Sequence, residues 1–539
     1  MNDRSTGTRP GIQLDWNLPY ASRRAPILAR NVVATSQPLA VQAGIAILRS
    51  GGSAVDAALA TAITLTVVEP CSNGLGSDLF ALVWDGRELA GLNASGRAPA
   101  AWSPKRFAGL AAMPRGGWDT VTVPGAVSGW VALSRRFGKL PFADLFVPAI
   151  RYARDGYAVT PFIAEKWAAA VPILRAFPGF AEHFLPRGRA VATGEVFSSP
   201  AMAASMEKIA RSGGEAFYRG ELTTAMVAHA RQHGGAHTEA DFAAHACDWV
   251  TPLAQDYRGY TVHEIPPNGQ GIAALMALGM LDNFDLSAQA VDSVDVQHLE
   301  IEAMKLAFAD VYRYVADPQS MSVTPAQLLD RQYLAARARR IDRSRAQDFN
   351  HGAPPSGGTV YLTAADERGM MVSLIQSNYM GFGSGVVVPG TGISLQNRGT
   401  GFSLEPGHPN LVGGGKRPFH TIIPGFLTKD GAACVSFGVM GGSMQPQGHL
   451  QTLVRLIDYG MNPQAALDAP RWKVNEGLSL DVESAMSIEL RSGLATRGHR
   501  FKSISDAYMD FGGGQFIVCG EGGYVAGSDP RRDGQAAGF

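Results

Sequence analysis

The stretch Ala54–Val68, AVDAALATAITLTVV, is apolar on nearly every face of a helix. A surface helix shows one apolar stripe, whereas a helix apolar all round must be enclosed, so this one is expected between two layers of structure. Glu69-Pro70 ends the run, which is shorter than the roughly 20 apolar residues that cross a bilayer. A buried core helix is the reading that follows. The chain can supply the layers around it: it has 539 residues, 46% of them hydrophobic, more than one ordinary domain needs.

The flanking segments read as strands and helices in alternation. NVVAT (residues 31–35) is short and β-branched. Ser36 is placed to cap a helix through Arg49 that Gly51-Gly52 would stop, and Ser53 is placed to cap the apolar helix. DLFALVW and ELAGLNAS flank Asp85-Gly86, a hairpin signal. The middle of the chain is mostly helical. Residues 298–318, HLEIEAMKLAFADVYRYVADP, carry apolar Leu299, Ala303, Leu306 and Phe308, with Pro318 beyond the helix end. RQYLAARARRIDRSRAQD follows with six arginines, and its interleaved Asp342 and Asp348 make it a solvated helix face. From Thr359 short strands alternate with Gly- and Pro-rich turns as far as Pro446, so position 358/359 is a compositional boundary.

Several function classes are excluded at this stage. Lys plus Arg and Asp plus Glu each number 47, which leaves no net charge to recruit nucleic acid or an anionic membrane, and neither is expected as a partner. The four cysteines, Cys71, Cys247, Cys434 and Cys519, are far apart and suit a reducing compartment. The N-terminal arm, residues 1–30, has no apolar run of the kind a secretory signal needs, so the expectation is a cytoplasmic protein. H-E-x-x-H and G-x-S-x-G are absent, and metal ligands do not cluster along the sequence; no metal and no cofactor are expected. GGGKRP (residues 413–418) lacks the spacing and the Ser/Thr of a phosphate loop and reads as a turn.

The boundary itself carries a chemical pattern. In HGAPPSGGTVYLTAADERG a Pro/Ser/Gly linker runs directly into the strand TVYLTAA, and MMVSLIQ is a second strand beyond the turn DERG. Pairing Asp366 with Gly369 sets Thr359 opposite Gln376, with Ser377 one residue on, so two hydroxyls meet beside a glycine peptide. Cutting Gly358–Thr359 would free an α-amine whose ordinary pKa is near ~8. That amine can take the proton of its own hydroxyl and make Thr359 a nucleophile without a histidine. Gly358 suits the cut because glycine tolerates strained backbone.

Together with these residues, GGSAVDAALA, VPGAVSGW, PPNGQGI, EAMKLAFAD, GKRPFHTIIP, GVMGGS and SDPRRDGQAAGF, in this order and spacing, resemble the γ-glutamyltranspeptidase family of N-terminal nucleophile hydrolases over nearly the whole chain. The resemblance implies an α/β (α+β) fold, a four-layer αββα sandwich. It implies a precursor that cleaves itself before Thr359 into a large subunit (31–358, behind the arm) and a small subunit (359–539). The two would form one intertwined domain, with a homo-oligomer of such heterodimers as a further possibility. It implies Thr359 as nucleophile and Ser377 as its supporting hydroxyl. It also implies Gly441-Gly442 as the oxyanion hole, a role worth roughly 3–4 kcal/mol per donor, and Arg97 as the grip on a substrate carboxylate.

Three features depart from the γ-glutamyl-specific pattern. Tyr379 stands where those relatives have asparagine, Arg398 and Gly401 stand where they place a glutamine and an aspartate, and His420-Thr421 replace a serine pair. A guanidinium in place of an amide, with the anion gone, repels a substrate ammonium. The loop from Phe402-Ser403 to Lys416-Arg417-Pro418 is short, which favours water as acyl acceptor. The expected activity is hydrolysis of a small carboxylate-bearing, oxamate-like amide through an acyl-enzyme. The alternatives are a true glutathione hydrolase or γ-glutamyltransferase and, in another class, an inactive scaffold or binding homologue. The retained Thr359, Ser377 and Gly441-Gly442 favour an enzyme.

Overall fold

The computed structural model describes Trp16 and residues 23–350, 358–505 and 511–539. Most of the N-terminal arm and the linker residues 351–357 lie outside them. Seven strands of the two principal sheets come before the linker: β1 (Ile27–Ala29), β2 (Val32–Thr35), β3 (Asp78–Trp84), β4 (Leu89–Ala94), β5 (Asp248–Val250), β6 (Leu253–Tyr257) and β7 (Tyr260–Glu264). Seven come after it: β8 (Gly358–Ala365), β9 (Met371–Tyr379), β10 (Gly425–Lys429), β11 (Ala432–Met440), β12 (Gly513–Gly520), β13 (Gly523–Ser528) and β14 (Gln535–Gly538). One sheet runs β14-β2-β8-β9-β3-β4-β5 and the other β1-β13-β12-β11-β10-β7-β6. Strands from both sides of position 358 are thus neighbours in each sheet.

Alternation with a period of two sorts the strand residues into layers. In the first sheet Leu79, Ala81, Val83, Val360, Leu362 and Val372 face outward to helices α1 (Pro38–Arg49) and α2 (Ala54–Val68). Phe80, Leu82, Trp84, Tyr361 and Ile375 face inward to Phe426 and Ile517 of the second sheet. The outer face of the second sheet, with Val262, Leu427, Phe437, Val439 and Phe516, is covered by α3 (Ile272–Leu281), α4 (Val294–Tyr314) and α5 (Met444–Ile457). The result is the αββα sandwich. Every residue of α2 is buried, as its all-round apolarity requires, and Ser53 and Asp56 form its capping box. None of the helices is long and apolar enough to cross a membrane, among the described residues.

Several local expectations are corrected. Gln37, not Ser36, caps α1: its Oε1 accepts from the N–H of Leu39 at 2.6 Å, while Ser36 donates to Glu69 at 2.5 Å. Helix α4 begins at Val294, four residues before His298, because Ser293 caps it, and ends at Tyr314. The arginine-rich segment is helical only over Arg331–Ala338. The strand-and-turn texture stops before Pro446, which lies in the first turn of α5, where its missing N–H is not needed.

The hairpin register differs by one residue. Gln376 pairs with Val360, not Thr359. The loop has three residues, Glu367-Arg368-Gly369, closed by Asp366 N–H to Met370 O at 3.1 Å, with Gly369 at φ +89°. A bulge then sets Gly358 opposite Tyr379. The two shifts leave Thr359 as the single residue opposite a bulge of β9 made by Ser377 and Asn378.

Candidate active site

Strands β8 and β9 end together at a buried corner. Thr359 is 1% exposed and Ser377 fully buried. Their hydroxyl oxygens lie 3.0 Å apart, and Ser377 Oγ is also 2.9 Å from the carbonyl oxygen of Gly358. The register therefore misplaced the backbone pairing and still predicted the hydroxyl pair. The Gly358–Thr359 peptide is continuous, within strand β8. A Cβ on Gly358 would approach the carbonyl oxygen of Cys71 to 3.0 Å, and Gly358 is not among the positive-φ residues. Glycine is needed here for close packing, not for a left-handed backbone.

Two further groups point at Ser377 Oγ. Tyr379 ends β9 with φ +77°, a left-handed conformation costly for a bulky residue. Its N–H donates to Ser377 Oγ at 2.8 Å, and its ring lies 4.3 Å from the Arg398 guanidinium carbon. Arg398 is fully buried; it donates from one terminal nitrogen to Ser377 Oγ at 3.0 Å and from the other to Thr421 Oγ1 at 2.8 Å. Burial lowers its pKa to about 10, with Asp78 and the Tyr379 phenol acting the other way, so it stays a cation at neutral pH. Its Nε–H has no partner, and it forms no salt bridge with a carboxylate among the described residues.

Thr421 and His420 come from the segment leading into β10. His420 Nδ1 accepts from the N–H of Ile422, so its Nε2 carries the proton and donates to Asp78 at 3.1 Å. Burial, then Arg398 and Arg417, hold the imidazole pKa well below its ordinary value, so it is neutral. Its one N–H is committed to Asp78. Burial raises the Asp78 carboxyl to about 6 against the attraction of Arg398.

Gly441 and Gly442 form the turn from β11 into α5, at φ +132° and +63°. Their carbonyl oxygens accept from Met444 and Gln445 in the first turn of the helix. A trans peptide points its N–H opposite its carbonyl, so the Gly442 N–H points away from the helix body. Gln270 Nε2 donates both to Gly442 O at 2.8 Å and to Thr421 O at 2.7 Å. A hydrogen-bonded path thus runs from Ser377, beside Thr359, through Arg398, Thr421 and Gln270 to Gly442.

Arg97 is not part of this path. It pairs with Asp317 at 3.2 Å and donates to Gly415 O, with 42% of its side chain exposed. Two members were missed. The sequence marks Asp78 only as the start of a strand and Gln270 only as a letter of PPNGQGI; a carboxylate opening the apolar run DLFALVW is a signal for Asp78, and Gln270 has none.

The fold also brings together His298, Glu302 and His499, whose ligand atoms lie within 4.8 Å, contrary to the expectation that such residues do not cluster. His298 bonds His499 and Asp342 O, each at 2.8 Å, and Glu302 accepts from Lys305 at 2.6 Å and from Gln347 N–H. The Lys305 cation at the carboxylate opposes a divalent ion, and the group reads as an internal hydrogen-bond network.

The gamma-glutamyltranspeptidase family model matches residues 40–539. The chain is similar to the glutathione hydrolase-like YwrD proenzyme of Bacillus subtilis, 36% identical over 527 residues, covering 96% of this chain and 100% of the relative. It is equally similar to the oxamate amidohydrolase proenzyme of Klebsiella pneumoniae, 36% identical over 515 residues, 93% of this chain and 97% of the relative. The crystal structure of cephalosporin acylase from Bacillus halodurans matches with a TM-score of 0.93 and 48% identity, over 98% of this chain and 99% of that one. Sequence, fold and the threonine corner agree: the chain belongs to the γ-glutamyltranspeptidase family, enzymes that hydrolyse or transfer acyl groups at amide bonds.

Proposed function

We propose that the chain cleaves itself between Gly358 and Thr359 and that the mature enzyme hydrolyses a small amide bearing a carboxylate and no ammonium, of the oxamate type. The freed Thr359 amine takes the hydroxyl proton, directly or through water, and Oγ1 attacks the substrate carbonyl. The N–H groups of Gly441 and Gly442 receive the oxyanion. The amine of the substrate leaves with a proton, and water hydrolyses the acyl-threonine ester. Four free thiols fit a reducing, cytoplasmic setting.

One observation carries the substrate reading: the buried Arg398 beside Ser377 makes no direct ion pair with a carboxylate among the described residues, and Asp78 acts on it only through space. A guanidinium has five N–H groups, and among the described residues two of them are used here, by Ser377 and Thr421. The remainder can take a carboxylate in bidentate fashion, with Thr421 Oγ–H as a further donor and Tyr379 flanking the cation. An ammonium would be repelled. The test is a substrate panel on the cleaved protein: oxamate and related carboxylate amides are turned over, and Arg398→Met raises KM for them about ten-fold or more. Efficient turnover of glutathione or a γ-glutamyl anilide, with none of oxamate, would overturn the reading.

A further inference from the structure

The peptide before Thr359 is intact, so the structure displays what surrounds that bond before any cut. Ser377 Oγ lies within hydrogen-bond distance of four groups: Tyr379 N at 2.8 Å, Arg398 at 3.0 Å, Gly358 O at 2.9 Å and Thr359 Oγ1 at 3.0 Å. A hydroxyl accepts two hydrogen bonds and donates one. The Tyr379 N–H and the guanidinium can only donate, so they fill both lone pairs. The Thr359 hydroxyl is left with no lone pair of Ser377 to donate to. The carbonyl oxygen of Gly358 can only accept, and the single Ser377 proton is free to reach it.

We propose that Arg398 is a positioning residue for self-scission: by filling a Ser377 lone pair with a charge-assisted bond, it makes Ser377 an obligate, polarised donor to the scissile Gly358 carbonyl. This rests on the reading of Thr359 as the nucleophile set free by that cut. The chemistry balances without a further reactant except water. Thr359 Oγ1 bonds to the Gly358 carbonyl carbon, and the carbonyl oxygen becomes an oxyanion facing Ser377 O–H. The carbon–nitrogen bond breaks, and the hydroxyl proton ends on the departing nitrogen. Water then hydrolyses the ester, giving the Gly358 carboxylate, the Thr359 hydroxyl and a free amine. The cation behind Ser377 strengthens its donation where negative charge develops. It does so without touching the reacting atoms.

The experiment follows the full chain, made by cell-free translation, on denaturing gels over time and with no substrate present. Arg398→Met, which removes every donor, slows scission about ten-fold or more, and Arg398→Lys recovers part of the rate. In a double-mutant cycle with Ser377→Ala, the Arg398 change costs little once Ser377 has lost its hydroxyl. A merely structural arginine would slow both backgrounds equally. Circular dichroism checks the fold, and the Lys variant, which keeps the buried cation, serves in the cycle should the Met variant not fold. Wild-type scission rates in a folded Arg398→Met chain, or additive losses in the cycle, overturn the proposal while leaving the substrate reading standing. A wild-type chain that stays joined at 358/359 overturns both.

Discussion

At the scale of single residues, the corner is governed by which groups are charged. Asp78 faces Arg398, Arg417, His420 and the N–H groups of Gly96 and Gly125, and its carboxyl is raised by burial to about 6. The raised value means that the native state binds the proton more tightly than the unfolded chain does, so this group's stability contribution falls as pH rises from about 4 through about 6. Its ionised form, however, is the one that accepts from His420 Nε2–H and balances Arg398. Protonation would set a donor against a donor and disturb the His420–Ile422 bond. The expected outcome is an acid limb in kcat/KM near pH 6 that Asp78→Asn flattens, with a loss of roughly ten-fold at neutral pH for one buried charge-assisted bond. A limb unchanged in Asp78→Asn would assign it elsewhere. Thr359 and Ser377 were legible because one short hairpin holds both. Asp78 and Gln270 were not, because each acts through a partner far away along the chain: Asp78 meets His420, and Gln270 meets Gly442.

At the scale of elements, two turns set the geometry. The turn from β11 into α5 needs bare glycine. Gly441 has φ +132°, and a Cβ there would come within 2.9 Å of Gly512 Cα. Gly441→Ala combines a left-side backbone cost of roughly 1–3 kcal/mol with a backbone clash that moves the candidate oxyanion donors. We expect a melting temperature several degrees lower and kcat reduced about a hundred-fold, with self-scission affected less. An active Gly441→Ala enzyme would remove the glycine pair from the mechanism. The hairpin turn shows how far local sequence carries. DERG marked the turn correctly, and the strands on either side were recognised by alternation. The register was off by one because Gly369 takes the left-handed position of a three-residue loop, which lengthens the connection. The bulge at Ser377-Asn378, opposite Thr359, shifts the pairing again, and no local pattern announces a bulge. Helix α2 was legible for the opposite reason, since enclosure on all sides leaves its mark on every residue. The cap of α1 was misread because Ser36 was already engaged by Glu69, a contact between separate elements.

At the scale of the whole molecule, the topology decides what a cut before Thr359 can do. In one sheet β8 and β9 lie between β2 and β3, and β2 itself lies between β14 and β8. In the other, β1 borders β13 and β7 borders β10. Each of these pairs joins a strand from before residue 358 to one from after it. The layer between the sheets mixes the same two parts, with Phe80 and Trp84 against Phe426 and Ile517. Separating the parts would expose both apolar faces and unpair five sheet borders, a loss far above the 5–15 kcal/mol that holds an ordinary domain folded. The cut is therefore expected to leave native size and stability nearly unchanged. On a denaturing gel the purified protein runs as two bands, while in native size-exclusion chromatography both bands co-elute at no less than the 57.1 kDa of the chain. In urea the two parts lose structure in one transition, and they dissociate only within it. Separate elution in plain buffer, or two well-resolved transitions, would mean that the sheets do not bind the halves as this strand order requires.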